Sequence, residues 1–212
     1  MKRLTTKDFQ PGSTEAEAIA IAKNVLLGAT LCSNIDGKFC SGKIVEVEVY
    51  LEKNDKASHS KNGFTHRCAS MFKAGGTAYV YKLRGYDAMN VAIGNEGEGN
   101  AILIRALEPM AGMDVMRERV DKMAKFFGHK PRKDVDLCRG CGRLGEAIGL
   151  DTPLHNGIDL SKSDELWIEP RTDKNIEIAS GKRIGLGRFA GEDADRILRF
   201  AIKDNPWVSK PI

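Results

Sequence analysis

The stretch Gly42-Lys-Ile-Val-Glu-Val-Glu-Val-Tyr-Leu51 constrains the fold more than any other part of the chain. Successive side chains of a strand point to opposite faces. Val45, Val47 and Val49 then share one face, and Ile44, Glu46, Glu48 and Tyr50 share the other. A helix would scatter both sets around its axis. The valine face must be buried, and two neighbouring carboxylates must go somewhere. On a wet face they are ordinary solvated residues. Lining a cleft, a desolvated carboxylate can act as a general base. Alternation alone favours the wet face.

The remaining pattern surrounds this strand with others. Thr14-x-x-Glu17 is a capping box that predicts a helix from Thr14 to Leu27, with Gly28 at its end. Ala29 to Ser33 and Lys38 to Cys40 read as strands around the turn signal Asn34-Ile-Asp-Gly37. Ala78 to Leu83 and Tyr86 to Ile93 read as strands joined at Arg84-Gly85. Ala101 to Leu107 is another, and Leu166 to Ile168 and Leu198 to Ile202 are short strand-like pieces. Pro109 to Phe127 reads as a helix with Met113, Met116, Val120, Met123 and Phe127 at helical spacing. Strands in runs followed by helices predict an α+β fold rather than a doubly wound sheet.

A chain of 212 residues fits one domain over residues 1–212. It can bury a sizeable core without a disulfide or a structural metal. No apolar run approaches the roughly 18 residues of a membrane span. The N-terminal Met-Lys-Arg-Leu-Thr-Thr-Lys-Asp lacks the apolar core of a secretion signal. Five cysteines are an odd number, so reduced thiols in an intracellular protein are expected. The 33 Lys and Arg against 29 Asp and Glu permit nucleic acid as a partner without establishing it.

Several motifs carry less than their spelling suggests. Gly37-x-x-x-x-Gly42-Lys43 lacks the Ser or Thr of a phosphate-binding loop and precedes a strand, so two turn glycines explain it. Gly140-Cys-Gly-Arg-Leu-Gly145 matches G-x-G-x-x-G with only Val135 and Leu137 hinting at a strand before it. Cys138-Arg-Gly-Cys141 is a single pair. The other cysteines and the histidines at 59, 66, 129 and 155 supply no second metal-spaced pair, so no metal site and no cofactor are expected, and thiols in a loop are favoured over a redox role. Arg117 to Lys133 holds seven Lys and Arg against two acids, which fits a solvated helix face or a phosphate-contacting surface.

A second cluster bears on the carboxylates. Tyr79 and Tyr81 share a strand face, and Tyr86 and Asn90 follow across the turn. Strand propensity and core packing account for such tyrosines; so does a stacking box for a flat ring. Arg105 lies inside the apolar run Ala101 to Leu107, where burial is costly without an acidic partner. Glu48 is the natural candidate. A buried Glu–Arg pair beside aromatics fits a catalytic centre or a structural ion pair.

At these residues the sequence resembles the alkyladenine (3-methyladenine) DNA glycosylases of the mammalian and bacterial type, over roughly Asp8 to Lys210. The matching pieces are the Gly42–Leu51 strand, Ala57-Ser-His-Ser60, Thr65-His-Arg67, Met71-Phe72, Gly76-Thr-Ala-Tyr-Val-Tyr81 and Met89-Asn90. They continue through Leu103-Ile-Arg-Ala-Leu-Glu-Pro109, Leu137-Cys138, Gly142-Arg-Leu144, Arg183-Ile-Gly185, Leu198-Arg-Phe200 and Asn205-Pro-Trp-Val-Ser209. The resemblance implies a single α+β domain around a curved, open-barrel-like antiparallel sheet, with surrounding helices and a protruding β-hairpin that inserts into DNA. It implies a monofunctional glycosylase of base-excision repair that flips out alkylated or deaminated purines and hydrolyses the N-glycosidic bond. Glu48 would be the general base, and Arg105 and the backbone carbonyl of Ile184 would hold the water. Tyr50, His59 and Tyr81 would sandwich the base, and Asn90 would crowd the 2-amino group of guanine. The partner would be double-stranded DNA with a damaged purine, bound by a monomer, with no membrane and no cofactor.

Three departures stand out. Arg84 occupies the place of an intercalating Tyr at the hairpin tip, in a hairpin one residue shorter, so Arg84 or Tyr86 would fill the gap left by flipping. Asp193 replaces a common Trp after a one-residue insertion in Arg188-Phe-Ala-Gly191. Cys141-Gly142 replaces the usual Pro-Gly. Two rival readings follow: a damaged-DNA binder without excision on the same fold, and a redox or metal protein built on Cys138 and Cys141.

Overall fold

In the computed structural model, which describes residues 2–128 and 130–212, the Thr14 capping box closes as its spacing predicts. The Thr14 hydroxyl accepts from Glu17 N–H, and the Glu17 carboxylate accepts from Thr14 N–H at 2.9 Å. Two donors that a helix start leaves open are thereby satisfied. The helix α1 (Glu15–Ile21) continues through a wider turn over Ala22–Leu26.

The strands are β1 (Thr30–Ser33), β2 (Cys40–Tyr50), β3 (Ala78–Leu83), β4 (Tyr86–Ile93), β5 (Asn100–Ala111), β6 (Leu166–Glu169), β7 (Ile178–Gly181) and β8 (Arg199–Ile202). They pair antiparallel in the order β3-β4-β5-β2-β1-β6, and β8 joins β2 and carries β7. One edge of β2 lies along β5; the other pairs with β1 over Cys40 to Lys43 and then with β8 over Glu46 to Glu48. Two successive neighbours on one edge split the sheet at β2 and let it curl. With helices against it, the result is the expected α+β fold with a curved antiparallel sheet.

The strict alternation of the Ile44 strand is broken at one point. Ile44 pairs with Leu107, Glu46 with Ala106 and Val47 with Ile104, so Val45 and Arg105 bulge out of the ladder. Ile44 therefore joins Val47 and Val49 in the main core, while Val45 packs with Ala106, Ala201 and Val208. The bulge exchanges the faces expected for Ile44 and Val45. It also turns Arg105 toward the glutamates.

The helix expected from Pro109 begins later. β5 runs on to Ala111 with Pro109 opposite Gly42, and Gly112, at φ +67°, turns the chain into α2 (Met113–Phe127). Met116 and Val120 are buried as the spacing predicts, but Met123 is exposed. The side chain of Phe127, and His129, lie outside the described residues.

The Cys138–Gly145 stretch is not a loop with chance thiols. Cys141 opens helix α3 (Cys141–Ile148), and both cysteines are buried and unpaired. Gly142 and Gly145 set α3 against β4: a Cβ on Gly145 would lie 1.9 Å from the carbonyl oxygen of Asp87. The G-x-G-x-x-G spelling is a packing seam. Just beyond it, the short helix α4 (Thr152–His155) leads back toward β3, where Asn156 Oδ1 accepts from Val80 N–H at 3.1 Å. Among the described residues no helix is long and apolar enough to cross a membrane.

Candidate active site

The two carboxylates of β2 are fully buried, which removes the wet-face reading. An ionised group in that position must be paired. Arg105, brought round by the bulge, places Nη1 3.3 Å from Glu48 Oε2 and Nε 3.3 Å from Glu46 Oε1. The expected Glu48–Arg105 pair is present, with Glu46 as an unforeseen second partner. Glu46 is held from the other side by Arg199 Nε at 2.8 Å and by the Ser209 N–H at 2.7 Å.

Glu48 has two further donors. Tyr50 donates its hydroxyl to Oε2 at 2.8 Å, and the backbone N–H of Ile184 donates to Oε1 at 2.7 Å. Burial still pushes the Glu48 carboxyl above its usual range, against the opposing pull of Arg105, the Ile184 N–H and Tyr50. Burial, then the neighbouring Glu48, raise the Tyr50 hydroxyl as well, so it stays a donor. Ile184 reaches Glu48 because the residue before it is bolted in place. Arg183 makes two bonds to Asp55, at 2.6 and 2.7 Å, and its guanidinium lies 4.7 Å from the Tyr50 ring centroid. Sequence reasoning matched Arg183-Ile-Gly185 as a motif but gave Arg183 and Asp55 no role. They lie 128 positions apart, and no local signal links them.

These groups sit beneath a cavity of about 140 Å³, close to the roughly 150 Å³ of an apolar cavity that admits a benzene ring. Tyr50, His59, Tyr81, Asn90, Arg105 and Ile184 all line it. Tyr79, Met71, Leu103, Cys141 and Phe189 complete much of the wall. Tyr79 and Tyr81 alternate onto one face of β3 and stack with centroids 5.4 Å apart. The His59 ring meets Tyr81 edge-on at 4.7 Å. Asn90, on β4, is fixed by a bond from Nδ2 to the carbonyl of Tyr79 at 3.1 Å.

His59 has a definite protonation state. Arg67 has only hydrogens to offer, so His59 Nε2, 3.2 Å from Arg67 Nη2, is the acceptor. Nδ1 then carries the proton and donates to the Tyr79 hydroxyl at 2.8 Å. Burial, then the charges of Arg67 and Lys61, lower the imidazole to about 4. Burial pushes the Tyr81 hydroxyl up to about 12. The aromatic wall is therefore uncharged at neutral pH.

Arg84 and Tyr86 are not part of this cavity. The β3–β4 hairpin closes at Arg84 and Gly85, with φ of +50° and +89°, the two positive angles of a tight hairpin turn. An arginine in the left-handed region costs about 1–2 kcal/mol, where glycine or asparagine would not. Arg84 is exposed, and Tyr86 is half-buried against Gly142, where a Cβ would lie 2.8 Å from the Tyr86 Cβ. Both line an adjoining groove of about 630 Å³ with Lys130, Arg132, Arg139, Arg143 and Lys210. Leu83, Arg105 and Cys141 border both spaces. The basic run from Arg117 to Lys133 is thus divided. Arg119 turns inward to the carbonyls of Ile35 and Lys38, while Lys130 and Arg132 face the groove.

Nothing in the geometry favours a metal or redox centre at Cys138 and Cys141. Burial pushes the Cys138 thiol up to about 12, where it donates to the Met116 sulfur at 3.8 Å. Among the described residues no group of three or more His, Cys, Asp or Glu could hold a metal ion.

Comparison with known proteins gives a consistent picture. A family model described as "Methylpurine-DNA glycosylase (MPG)" matches residues 13–206. A Clostridium tetani protein called "Putative 3-methyladenine DNA glycosylase" is 38% identical over 204 residues, 92% of this chain and 96% of its own. An Encephalitozoon cuniculi protein called "Probable DNA-3-methyladenine glycosylase" is 39% identical over 187 residues, 87% of this chain and 85% of its own. The mouse "DNA-3-methyladenine glycosylase" is 35% identical over 205 residues, 94% of this chain and 60% of its own.

Proposed function

The chain belongs to the methylpurine-DNA glycosylase family, and we propose on that premise that it excises damaged purines from double-stranded DNA by hydrolysing the N-glycosidic bond. A base inside a duplex is out of reach of any side chain, so the target must be flipped out, at a cost of about a few kcal/mol. The cavity lined by Tyr50, His59 and Tyr81 suits the flipped ring. Alkylated purines are cationic and are drawn to aromatic faces. A neutral His59 adds no repulsion, and Asn90, held by Tyr79, crowds the 2-amino group of guanine.

The observation that carries the reading is the hydrogen bonding of Glu48. A carboxylate has about four acceptor sites, two on each oxygen. Tyr50 and Arg105 use those of Oε2, and Ile184 N–H uses one of Oε1, so one site on Oε1 is left. A water bound there is aligned for attack on the sugar carbon as the base departs, with Arg105 and the Ile184 carbonyl as its other holders. The raised pKa of Glu48 makes it a better proton acceptor than an exposed carboxylate, and the Arg105 charge opposes that rise. A cationic base is already a good leaving group, so one base suffices. None of the residues lining the cavity is a lysine, which supports hydrolysis to an abasic site over attack by an amine.

Arg84, with Tyr86 behind it, would fill the gap left in the duplex, and the basic groove would follow the strand. On this reading the protein acts as a monomer, and the work belongs where DNA is, inside the cell. A damaged-DNA binder without excision has no support, because Glu48 and Arg105 are in place and the matching relatives are named glycosylases.

The test is a panel of duplexes, each with one methylated or deaminated purine, treated with the protein and then with alkali. Alkali-labile sites at the lesion, without nicking before alkali, are expected. Duplexes left intact at every lesion would contradict the proposal.

A further inference from the structure

Phe189 borders the cavity but is 64% exposed, while Met71, Tyr79 and Leu103 on the same wall are at most 3% exposed. A lone exposed phenylalanine on a surface needs no explanation. This one stands at the mouth of a binding cavity on a segment tied down at both ends. On one side, Arg183 is paired to the buried Asp55, and Ile184 N–H is bonded to Glu48. On the other, Asp193 Oδ2 accepts from Lys56 N–H at 2.9 Å, and Ala190 is fully buried between. The ring lies over Gly187, where a Cβ would come within 2.6 Å of Phe189 Cε1. Lys61 Nζ sits 5.1 Å from the ring centroid. An exposed aromatic ring with an ammonium over its face suits a nucleotide, whose flat base or sugar can take the ring while its phosphate draws the ammonium aside.

We propose that Phe189 is a substrate-contacting lip. When a base occupies the cavity, the ring packs against the extrahelical nucleotide at the mouth, with Lys61 toward its phosphate, and disfavours return of the base to the stack. The proposal rests on the reading of the cavity as a site for a flipped base. It adds a holder of the flipped state that belongs to the Arg188-Phe-Ala-Gly191 segment rather than to the hairpin.

The experiment compares the parent, Phe189→Ala and Phe189→Trp with saturating protein in single turnover. One duplex carries a methylated purine paired with thymine; a second carries it in an unpaired bulge, where flipping costs little. A third set carries a fluorescent base analogue at the lesion position and reads unstacking directly. Phe189→Ala is expected to slow excision from the paired duplex about tenfold, the size of one base–aromatic contact. It should leave the bulged lesion unaffected and reduce the fluorescence rise on binding, and Phe189→Trp should restore both. Parental rates and fluorescence for Phe189→Ala on the paired duplex would overturn the lip. So would an equal loss on the bulge, which would mark damage to chemistry or folding. If the parent excised nothing yet its fluorescence rise depended on Phe189, the lip would stand and the glycosylase reading would fall.

Discussion

At the scale of single residues, the site was legible where a side chain contradicted its surroundings. Arg105 in an apolar run demanded a buried acid, and Glu48 provides it at 3.3 Å. The same logic could have found Glu46, which is as buried and shares the same arginine. It could not have found Arg183 and Asp55, since a pair of that kind leaves no mark in either local pattern. His59 gives a prediction at this scale. Its folded pKa of about 4 lies below the ordinary 6.5, so folding favours the neutral ring. That contribution to stability is intact above about 6.5 and is lost as pH falls through about 4. An NMR titration of the imidazole should show a midpoint near 4 and a proton on Nδ1 at neutral pH. A midpoint near 6.5 would mean that the ring is solvated and that Arg67 does not hold it.

Among the elements, periodicity found most strands and the capped first helix; besides starting the second helix too early, it misjudged two places for identifiable reasons. The bulge at Val45 and Arg105 is invisible in the alternation, because it depends on the partner strand. The seam between α3 and β4 was hidden behind glycines that resemble nucleotide-binding spelling. Gly145 is there for close approach, and this can be measured. In a helix interior, Gly→Ala ordinarily stabilises by about 1 kcal/mol. Here the new Cβ would fall 1.9 Å from the backbone oxygen of Asp87, which has nowhere to move in a paired strand. Gly145→Ala should cost about 3 kcal/mol and lower Tm by roughly 6–12 °C. An unchanged or higher Tm in a thermal melt would show that α3 does not rest on β4 as described.

For the whole molecule, the site is the meeting point of segments far apart in sequence. β2 brings Glu48 and Tyr50, β5 brings Arg105, β3 and β4 bring Tyr81 and Asn90, and the segment before β8 brings Ile184. The last residues are drawn in as well: the Ser209 hydroxyl donates to Glu46 at 2.9 Å, and Arg199 bonds the carbonyl of Lys210. Such an assembly exists only in the folded chain. The sequence announced it through the resemblance of its pieces, taken in order, rather than through composition or charge. The central claim is that Glu48 is the base that activates water. Glu48→Gln keeps the shape and removes the basicity. Both Glu48 oxygens accept hydrogen bonds, and the amide has only one acceptor oxygen, so the variant should fold with a Tm below the parent's, Arg105 keeping Glu46 as its partner. The most direct measurement is single-turnover excision of a methylated purine by Glu48→Gln, alongside its affinity for the same duplex. The account predicts a loss of about 10²–10⁴-fold in excision with affinity kept within a few-fold of the parent; excision at the parental rate would contradict it.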